Sequence, residues 1–339
     1  MLDLIGLPDV LGAAARIRPW AVHTSLLRSP ELDALLGLTL VIKAEHHQRT
    51  GSFKLRGALN RMLRLDTRER AAGVIAGSSG NHGRALAAAA SLVGTTATVV
   101  MPADAPAGKL DAIRTHGAHV VTVDRLRTDR DTLTTRLAIE QGRLVVPSSD
   151  DPDVIAGAGT VALELLAEAG RLDALIVPVG GGGLAAGCAV AAAALRPGLR
   201  VYGVEPAGAD DTRRSVLHGQ VCTIAPPATI ADGLRHRRPG RLTFPITSRL
   251  LHDILVVSDR SIADAMRLCE EHLHERIEPS AACSLAAVLS RPALFRDRHV
   301  AVVATGGNIE PTLFDHLVST TGTAGMNGTE PAPASRRTT

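Results

Sequence analysis

Short apolar segments alternate with longer helical patterns through most of the 339 residues, and this alternation limits the folds open to the chain. The predicted strands are residues 38–44, 74–77, 97–101, 119–123, 144–146, 174–177, 200–204 and 299–304. The predicted helices, rich in Ala, Leu and Arg, are residues 53–65, 81–92, 109–115, 128–140, 153–169, 184–195, 261–274 and 281–289. Because strands that alternate with helices form right-handed βαβ units, we predict an α/β fold with mainly parallel sheets.

The bulk composition is that of a soluble globular enzyme, with 45% hydrophobic and 21% charged residues. The formal net charge is +3, and the densest basic segment, residues 235–238, has no aromatic neighbour, so a nucleic-acid partner is not expected. The beginning of the chain lacks the basic region of a signal peptide, and no apolar run is long enough to span a bilayer. We expect a cytoplasmic protein without a membrane partner, whose four cysteines stay reduced.

The segment at residues 50–58, TGSFKLRGA, places Lys54 in the first turn of a predicted helix, with Thr50 or Ser52 as the N-cap. A charged lysine is unfavourable at that end of the helix dipole, whereas a neutral amine or a nearby phosphate is not. The chain has only three lysines and uses Arg for its other basic charges. Because Lys can lose its proton and form a Schiff base, Lys54 is a candidate nucleophile.

Two further segments join a predicted strand to a predicted helix and suit an anion. Residues 77–83, GSSGNHG, present backbone N–H groups and hydroxyls at a helix N-terminus. Residues 180–183 are four consecutive glycines, which allow the backbone to wrap closely around a phosphate.

The glycine run also supports an alternative from another class of enzyme. Gly181, Gly183 and Ala186 fit the GxGxxA fingerprint of dinucleotide-binding folds, and Glu205 follows at about the distance of a ribose ligand. A nicotinamide (NAD)-dependent dehydrogenase is therefore an alternative interpretation, although it leaves Lys54 unexplained.

An acidic turn and a threonine complete the set of candidate segments. Glu205, Asp210 and Asp211, with the turn carbonyls, could bind a hard cation, or an aspartate could cap the next helix. Thr305 places a hydroxyl at the carboxyl end of a predicted parallel strand, where α/β enzymes bind ligands.

Other histidines and cysteines are not predicted to bind a metal. His46 and His47 flank the Lys54 segment but have no carboxylate or thiol at metal spacing in the sequence. Cys269, His272 and His274 share a predicted helix at spacings that do not converge on one ion.

In this order, the segments at residues 50–58, 78–83, 154–160 and 180–183 resemble the fold-type-II pyridoxal-phosphate enzymes. Within them, the chain is similar to the threonine/serine dehydratase (ammonia-lyase) and serine racemase branch, from about residue 15 to about residue 318. The resemblance implies a tryptophan synthase β-like fold of two three-layer αβα domains. These would be a large cofactor-binding domain from residues 1–68 and 151–320 and a small mobile domain from residues 69–150, followed by a disordered tail at 321–339. A homodimer is expected.

The resemblance also implies a role for each site residue. Lys54 is implied to hold pyridoxal phosphate and to act in catalysis together with Ser79. The residues implied to bind the cofactor are Phe53, Lys54, Asn81, Gly180, Gly181, Gly182, Gly183, Leu184 and Thr305. The residues implied to bind a small amino-acid substrate are Ser78, Ser79, Asn81, His82 and Ser149. Glu205, Ala209 (through its carbonyl) and Asp211 match the divalent-cation site of this branch, which would take Mg or Ca.

The implied reaction is β-elimination from a β-hydroxy amino acid such as L-threonine or L-serine, giving a 2-oxo acid and ammonia, with Lys54 as the general base. The alternatives are an amino-acid racemase, for which Ser79 would be the second acid/base, a hydroxyaspartate dehydratase, and β-replacement on serine. Residues 147–149, PSS, stand where the branch usually has His-Pro followed by Phe, Tyr or Asn, which points to an unusual substrate.

Overall fold

The computed structural model describes residues 5–124 and 127–319. The tail predicted at residues 321–339 lies outside these ranges. In the described part of the chain the strands are β1 (Leu26–Leu27), β2 (Thr39–Ala44), β3 (Val74–Gly77), β4 (Ala97–Pro102), β5 (His119–Val123), β6 (Leu144–Val145), β7 (Ala174–Pro178), β8 (Arg200–Pro206), β9 (Asp253–Val257) and β10 (His299–Ala304).

The helices alternate with these strands. They are α1 (Leu7–Ile17), α2 (Pro30–Leu36), α3 (Lys54–Met62), α4 (Thr67–Ala72), α5 (Asn81–Val93), α6 (Ala107–Arg114), α7 (Arg130–Gln141), α8 (Pro152–Glu168), α9 (Gly183–Leu195), α10 (Asp211–His218), α11 (Thr243–Leu250), α12 (Asp259–Leu273), α13 (Pro279–Ser290), α14 (Pro292–Phe295) and α15 (Pro311–Ser319). None of the helices within the described ranges combines the length and the apolar character needed to cross a membrane.

The strands form two sheets, and the predicted α/β fold with mainly parallel sheets is confirmed. The larger sheet has the order β1-β2-β10-β7-β8-β9, in which only the short β1 pairs antiparallel. The smaller sheet has the order β5-β4-β3-β6 and is parallel throughout. All four strands of the smaller sheet fall within residues 69–150, the range predicted for the small domain, whereas its boundaries and its mobility remain predictions.

Alternate residues of the central strands pack on opposite layers of helices. In β2, Leu40 and Ile42 belong to the apolar core formed with α12 and α13, whereas Val41 belongs to the core formed with α8 and α9. Because both faces of such a parallel sheet are buried, its strands are continuous apolar runs, which explains why most of them could be predicted. The predicted strands and helices did not include β9, whose apolar residues are separated by only two residues from Leu251, close to the end of α11.

Glycines allow α3 to approach α8 closely. A Cβ atom on Gly157 would lie 2.5 Å from the carbonyl oxygen of Arg56 and 2.8 Å from the Cα of Gly57. A Cβ atom on Gly57 would in turn lie 2.8 Å from the carbonyl oxygen of Val154. Since backbone atoms occupy these positions, neither glycine can be enlarged unless the two helices separate.

Replacing Gly157 with Ala should therefore destabilise the protein, although Ala is the better helix former by roughly 1 kcal/mol. Overpacking of this kind lowers the free energy of unfolding by about 1–3 kcal/mol. Denaturant unfolding measures the change, and Gly198→Ala is the matched control, because a Cβ atom there would meet nothing within 4 Å. A Gly157→Ala variant as stable as the unmodified protein would contradict the close helix contact.

Candidate active site

The candidate residues lie in loops at the carboxyl ends of strands from both sheets. The loop after β2 leads to Lys54, the loop after β3 leads to Asn81, the loop after β7 contains Gly180–Gly183, and Thr305 directly follows β10. Open α/β sheets bind ligands at the carboxyl ends of their parallel strands. In this protein the carboxyl ends of the strands in the two sheets face each other.

Lys54 is the first residue of α3, as predicted, and its amine is in an environment that favours the neutral form. Nζ donates a hydrogen bond of 2.7 Å to the carbonyl oxygen of Ser148 and lies 5.0 Å from the centre of the Phe53 ring. Burial lowers the pKa of Lys54 to about 8, and the carboxylate of Glu278 acts in the opposite direction. A substantial fraction of the amine is therefore unprotonated at slightly alkaline pH.

The prediction that Thr50 or Ser52 caps α3 is wrong. The N-cap position is Phe53, and no side chain caps the helix. Gly51 turns the chain with a φ of +72°, and Ser52 then pairs with Gly306 as an isolated β-bridge, so the backbone of this segment does not lead into the helix as a cap would. Thr50 Oγ1 and Ser52 Oγ are buried and make no hydrogen bond within the described residues, which is unusual for buried hydroxyls.

The four glycines form a backbone cradle at the start of α9. A Cβ atom on Gly181 would lie 2.1 Å from Ser149 Oγ, and Gly182 has a φ of +87°, which side chains rarely adopt. The hydroxyl of Thr243 donates to the carbonyl of Gly181 at 2.8 Å and holds this turn. Since α9 begins at Gly183, its free N–H groups are directed at the cradle, and Leu184 is buried just behind it.

A hydrogen-bonded network connects the Asn81 loop to the larger sheet. Asn81 Nδ2 donates to Oε1 of Glu278 at 2.6 Å, and Asn308 Nδ2 donates to Asn81 Oδ1 at 2.7 Å. Arg84 donates to Asn308 Oδ1. Burial raises the pKa of Glu278 to about 8, and the charge of Asp232 acts in the same direction. The sequence analysis did not identify Glu278, Asn308 or Arg84, and only the Glu-Pro start of α13 distinguishes Glu278 in the sequence.

The other residues of the serine loop have different surroundings. Ser78 and Ser79 are half-buried, and Ser78 Oγ accepts a hydrogen bond of 3.3 Å from Gly80 N. The ring of His82 is buried, and its Nε2 lies 2.8 Å from the carbonyl oxygen of Val146. Burial and the charge of Lys54 lower the pKa of His82 to about 4. His82 is therefore neutral and fixes the loop to the segment before Ser148, although the sequence analysis placed it among the substrate ligands.

Thr305 is buried directly behind Phe53, where the sequence predicted a hydroxyl. Its side chain is 4% exposed, and its carbonyl oxygen accepts a hydrogen bond of 3.0 Å from Phe53 N. This hydrogen bond connects the Thr305 segment to the start of α3.

Two further residues near the site were missed by the sequence analysis. Arg130 begins α7, and its Nε lies 3.1 Å from the position that a Cβ atom on Gly77 would take. His236, which the sequence analysis counted only as part of a basic segment, places its ring against Gly180. Its Cδ2 atom lies 3.0 Å from the position that a Cβ atom on Gly180 would take. Burial, followed by the charges of Lys54 and Arg130, lowers the pKa of His236 to about 4. Arg130 thus contributes positive charge to the same space as Lys54.

The predicted cation-site residues lie together between the end of β8 and the start of α10. Glu205 is fully buried at the end of β8, and its two oxygens accept hydrogen bonds from the backbone N–H groups of Thr212 (3.0 Å) and Arg213 (2.8 Å). Both carboxylate oxygens of Asp211 are buried without a hydrogen-bond partner in the described part of the chain, and Ala209 is buried beside them. Burial raises the pKa of Glu205 to about 8 and that of Asp211 to about 7.

Comparison with known proteins agrees with this geometry. The family described as pyridoxal-phosphate dependent enzyme matches residues 17–306. The L-threo-3-hydroxyaspartate ammonia-lyase of a Pseudomonas species is 45% identical, and the match covers 91% of this chain and 97% of that enzyme. The L-threo-3-hydroxyaspartate ammonia-lyase of Saccharomyces cerevisiae is 42% identical, and the match covers 92% of this chain and 95% of that enzyme. The solved structure of maize serine racemase superposes with a TM-score of 0.87 at 37% identity, over 94% of this chain and 98% of its own.

The dinucleotide interpretation fails on the same evidence. The carboxylate of Glu205, which would have to bind a ribose, is buried and occupied by the first turn of α10. The family that matches residues 17–306 is described by pyridoxal phosphate and not by a dinucleotide. The chain belongs to the family of pyridoxal-phosphate dependent enzymes.

Proposed function

We propose that this enzyme is an ammonia-lyase for L-threo-3-hydroxyaspartate, which it converts to oxaloacetate and ammonia. The sequence analysis placed L-threonine and L-serine first and hydroxyaspartate dehydration among the alternatives. The relatives that are 45% and 42% identical over nine-tenths of the chain bear the name of the hydroxyaspartate enzyme, which favours the alternative. The observation in the molecule that carries the proposal is the position of Arg130.

Arg130 provides a permanent positive charge for a second substrate carboxylate. Its guanidinium lies against Gly77, the last residue before the serine loop, and its charge lowers the pKa of both His82 and His236. Asp131 is its partner at 3.0 Å, but both side chains are substantially exposed, so this ion pair is weak and can be exchanged. Serine and threonine have no second carboxylate that could pair with this cation, whereas the β-carboxylate of hydroxyaspartate can pair with it in two hydrogen bonds.

The residues of the site fit pyridoxal phosphate. The cradle of Gly180–Gly183 excludes side chains and directs N–H groups at a phosphate. Lys54 offers an amine for a Schiff base, and its pKa of about 8 makes it neutral more often than an ordinary lysine. The unpaired hydroxyls of Thr50 and Ser52 lie beside the start of α3, where polar groups of a ligand would satisfy them. When bound, the cofactor would supply the electron-withdrawing ring that acidifies the α-hydrogen of an amino acid.

The chain's own residues would then position the substrate and transfer its protons. N–H groups at the start of α5 suit the α-carboxylate, and Arg130 would bind the β-carboxylate. The freed amine of Lys54 would accept the α-proton, since its lowered pKa increases the unprotonated fraction near neutral pH. Asn81, fixed by Glu278 and Asn308, would hold the ring hydroxyl of the cofactor, and Thr305 would face its ring nitrogen through a neutral hydroxyl.

Racemisation of a small amino acid is the second candidate. Ser79 lies half-buried in the serine loop and would provide the second acid/base that a racemase needs on the face opposite Lys54. The likeness to maize serine racemase supports this candidate. Formation of the other enantiomer without release of a 2-oxo acid would distinguish it from elimination.

Asp211 supports a further proposal, that Mg²⁺ or Ca²⁺ binds beside Glu205 and the carbonyl of Ala209. A buried carboxylate without a partner is costly, and a hard cation with oxygen ligands would satisfy it. The cation would stabilise the turn between β8 and α10 on the far side of the glycine cradle.

The low pKa of Lys54 leads to the first prediction here. The rate at which the apoprotein combines with pyridoxal phosphate should rise about tenfold between pH 7 and pH 9, because the neutral fraction of an amine with a pKa of about 8 rises by that factor. Stopped-flow absorption of the cofactor measures the rate. Lys54→Ala is the control and should retain no coloured cofactor after gel filtration. A pH–rate profile whose midpoint lies at the ordinary lysine pKa of about 10.4 would contradict the assignment.

Arg130 leads to the second prediction. Arg130→Ala should lower kcat/KM for L-threo-3-hydroxyaspartate by at least ~30-fold, since loss of one partner from a hydrogen-bonded charge pair that the bound substrate buries costs about 2–5 kcal/mol. Activity on L-serine should change little, because serine has no β-carboxylate. Coupled assays of 2-oxo acid release compare the two substrates, with the exposed Arg136→Ala on the same helix as control. An equal loss of kcat/KM for both substrates would contradict the proposed specificity.

The orphan carboxylate of Asp211 leads to the third prediction. Mg²⁺ or Ca²⁺ at about 100 times its Kd should stabilise the protein by about 2.7 kcal/mol, and Asp211→Asn should abolish this effect. Thermal unfolding with and without a chelator measures the change. Asp210→Asn is the control, because the Asp210 carboxylate turns outward to Arg214 at 2.8 Å. The cation site would be refuted if the cation stabilised Asp211→Asn as well as the unmodified protein.

A further inference from the structure

Two adjacent histidines and a distant glutamate converge beside the cofactor site. His46 and His47 lie in the 3₁₀ turn that follows β2, and Glu275 lies in the connection between α12 and α13. The Nε2 atoms of His46 and His47 lie 3.0 and 3.1 Å from the same carboxylate oxygen, Oε2 of Glu275. The two rings are 4.2 Å apart between centroids and are tilted by 54°.

No carboxylate or thiol lies at metal spacing from His46 and His47 in the sequence, so neither histidine was predicted to bind a metal. The fold supplies Glu275 from 228 residues beyond His47. That prediction is therefore corrected: the histidine pair does have a carboxylate at metal spacing, but only in three dimensions.

The spacing of the three ligand atoms is close to that of a zinc site. In a tetrahedral site with bonds of about 2.0–2.2 Å, the ligand atoms lie about 3.3–3.5 Å apart. Here the two nitrogen–oxygen distances are 3.0 and 3.1 Å, and all three ligand atoms lie within 4.8 Å of one another. The nitrogen–oxygen distances would have to lengthen by only a few tenths of an ångström to admit an ion.

The burial of the cluster suits three protein ligands and one open position. The His46 side chain is 5% exposed, that of Glu275 is 23% exposed and that of His47 is 39% exposed. His46 is held from behind by Gly307, where a Cβ atom would lie 3.1 Å from the His46 Cβ. An ion could thus enter from the His47 side and keep a water as its fourth ligand.

We propose that His46, His47 and Glu275 form a binding site for zinc or a similar first-row divalent cation. Two imidazoles and one carboxylate suit Zn²⁺ or Co²⁺, whereas Mg²⁺ and Ca²⁺ prefer the all-oxygen surroundings of Glu205 and Asp211. The ion would join the segment that leads to Lys54 with the segment that leads to Glu278. It would stabilise these two walls of the cofactor site without contacting the reacting atoms.

The experiment titrates the chelator-treated holoenzyme with Co²⁺ and then with Zn²⁺. One equivalent of Co²⁺ should bind and give the visible absorption bands of a four-coordinate histidine site, and Zn²⁺ should displace it and raise the melting temperature. Glu275→Gln and His47→Gln should each weaken Zn²⁺ binding by at least ~10-fold, the lower end of the loss caused even by outer-shell changes. Cofactor absorption, unchanged in both variants, establishes that they fold.

His274→Asn is the matched control. His274 is exposed in the same connection and has a φ of 56°, which asparagine tolerates. The control should bind Zn²⁺ as the unmodified protein does. Absence of stoichiometric binding, or equal binding by His47→Gln and the unmodified protein, would overturn the proposal. Because the readouts are metal absorption and melting temperature, they do not depend on which amino acid the enzyme uses.

Discussion

The guanidinium of Arg56, two residues after Lys54, is fully buried, and the position of Lys54 depends on it. It donates to both oxygens of Glu45 at 2.8 Å and to both oxygens of Glu164 at 2.6 and 2.8 Å. Lys43, also fully buried, donates to Glu164 at 2.6 Å, so two cations compensate two anions. Burial opposes the charge of Arg56, but the two carboxylates outweigh it and raise its pKa. Loss of one member would leave an uncompensated buried charge and cost about 3–5 kcal/mol.

This network fixes α3 against β2 and α8, and the glycines then transmit that position to the phosphate cradle. Gly57 and Gly157 bring α3 onto α8, and a Cβ atom on Gly159 would lie 2.9 Å from the carbonyl oxygen of Gly187 on α9. Since α9 begins at the cradle, Lys54 and the N–H groups for a phosphate are connected through rigid backbone contacts. The amine and the phosphate-binding end of the site are therefore positioned relative to each other before any ligand binds.

The parts of the molecule that depend on local sequence could be predicted, and the parts that depend on pairing between distant segments could not. The parallel strands are continuous apolar runs, and the cradle is a run of glycines. Both features lie within one short segment of sequence and can be recognised there. Glu278 pairs with Asn81 across 197 residues, and Glu275 with His47 across 228, and no spacing in the sequence indicates either partner. The predicted cap by Thr50 or Ser52 was wrong for the same reason, since the pairing of Ser52 with Gly306 decides the direction of that segment.

The electrostatics of the site explain why a permanent cation matters for a dicarboxylate. Burial lowers the pKa of Lys54 to about 8 and raises that of Glu278 to about 8, so the low polarity of the site disfavours charge on both groups near neutral pH. A lysine that is to act as nucleophile and base cannot also serve as the fixed counter-ion of a substrate. An arginine suits that task, because a guanidinium does not lose its proton in proteins. Under the proposed function, a substrate with two carboxylates would be compensated by helix N–H groups at one end and by Arg130 at the other, and Lys54 would remain free to exchange protons.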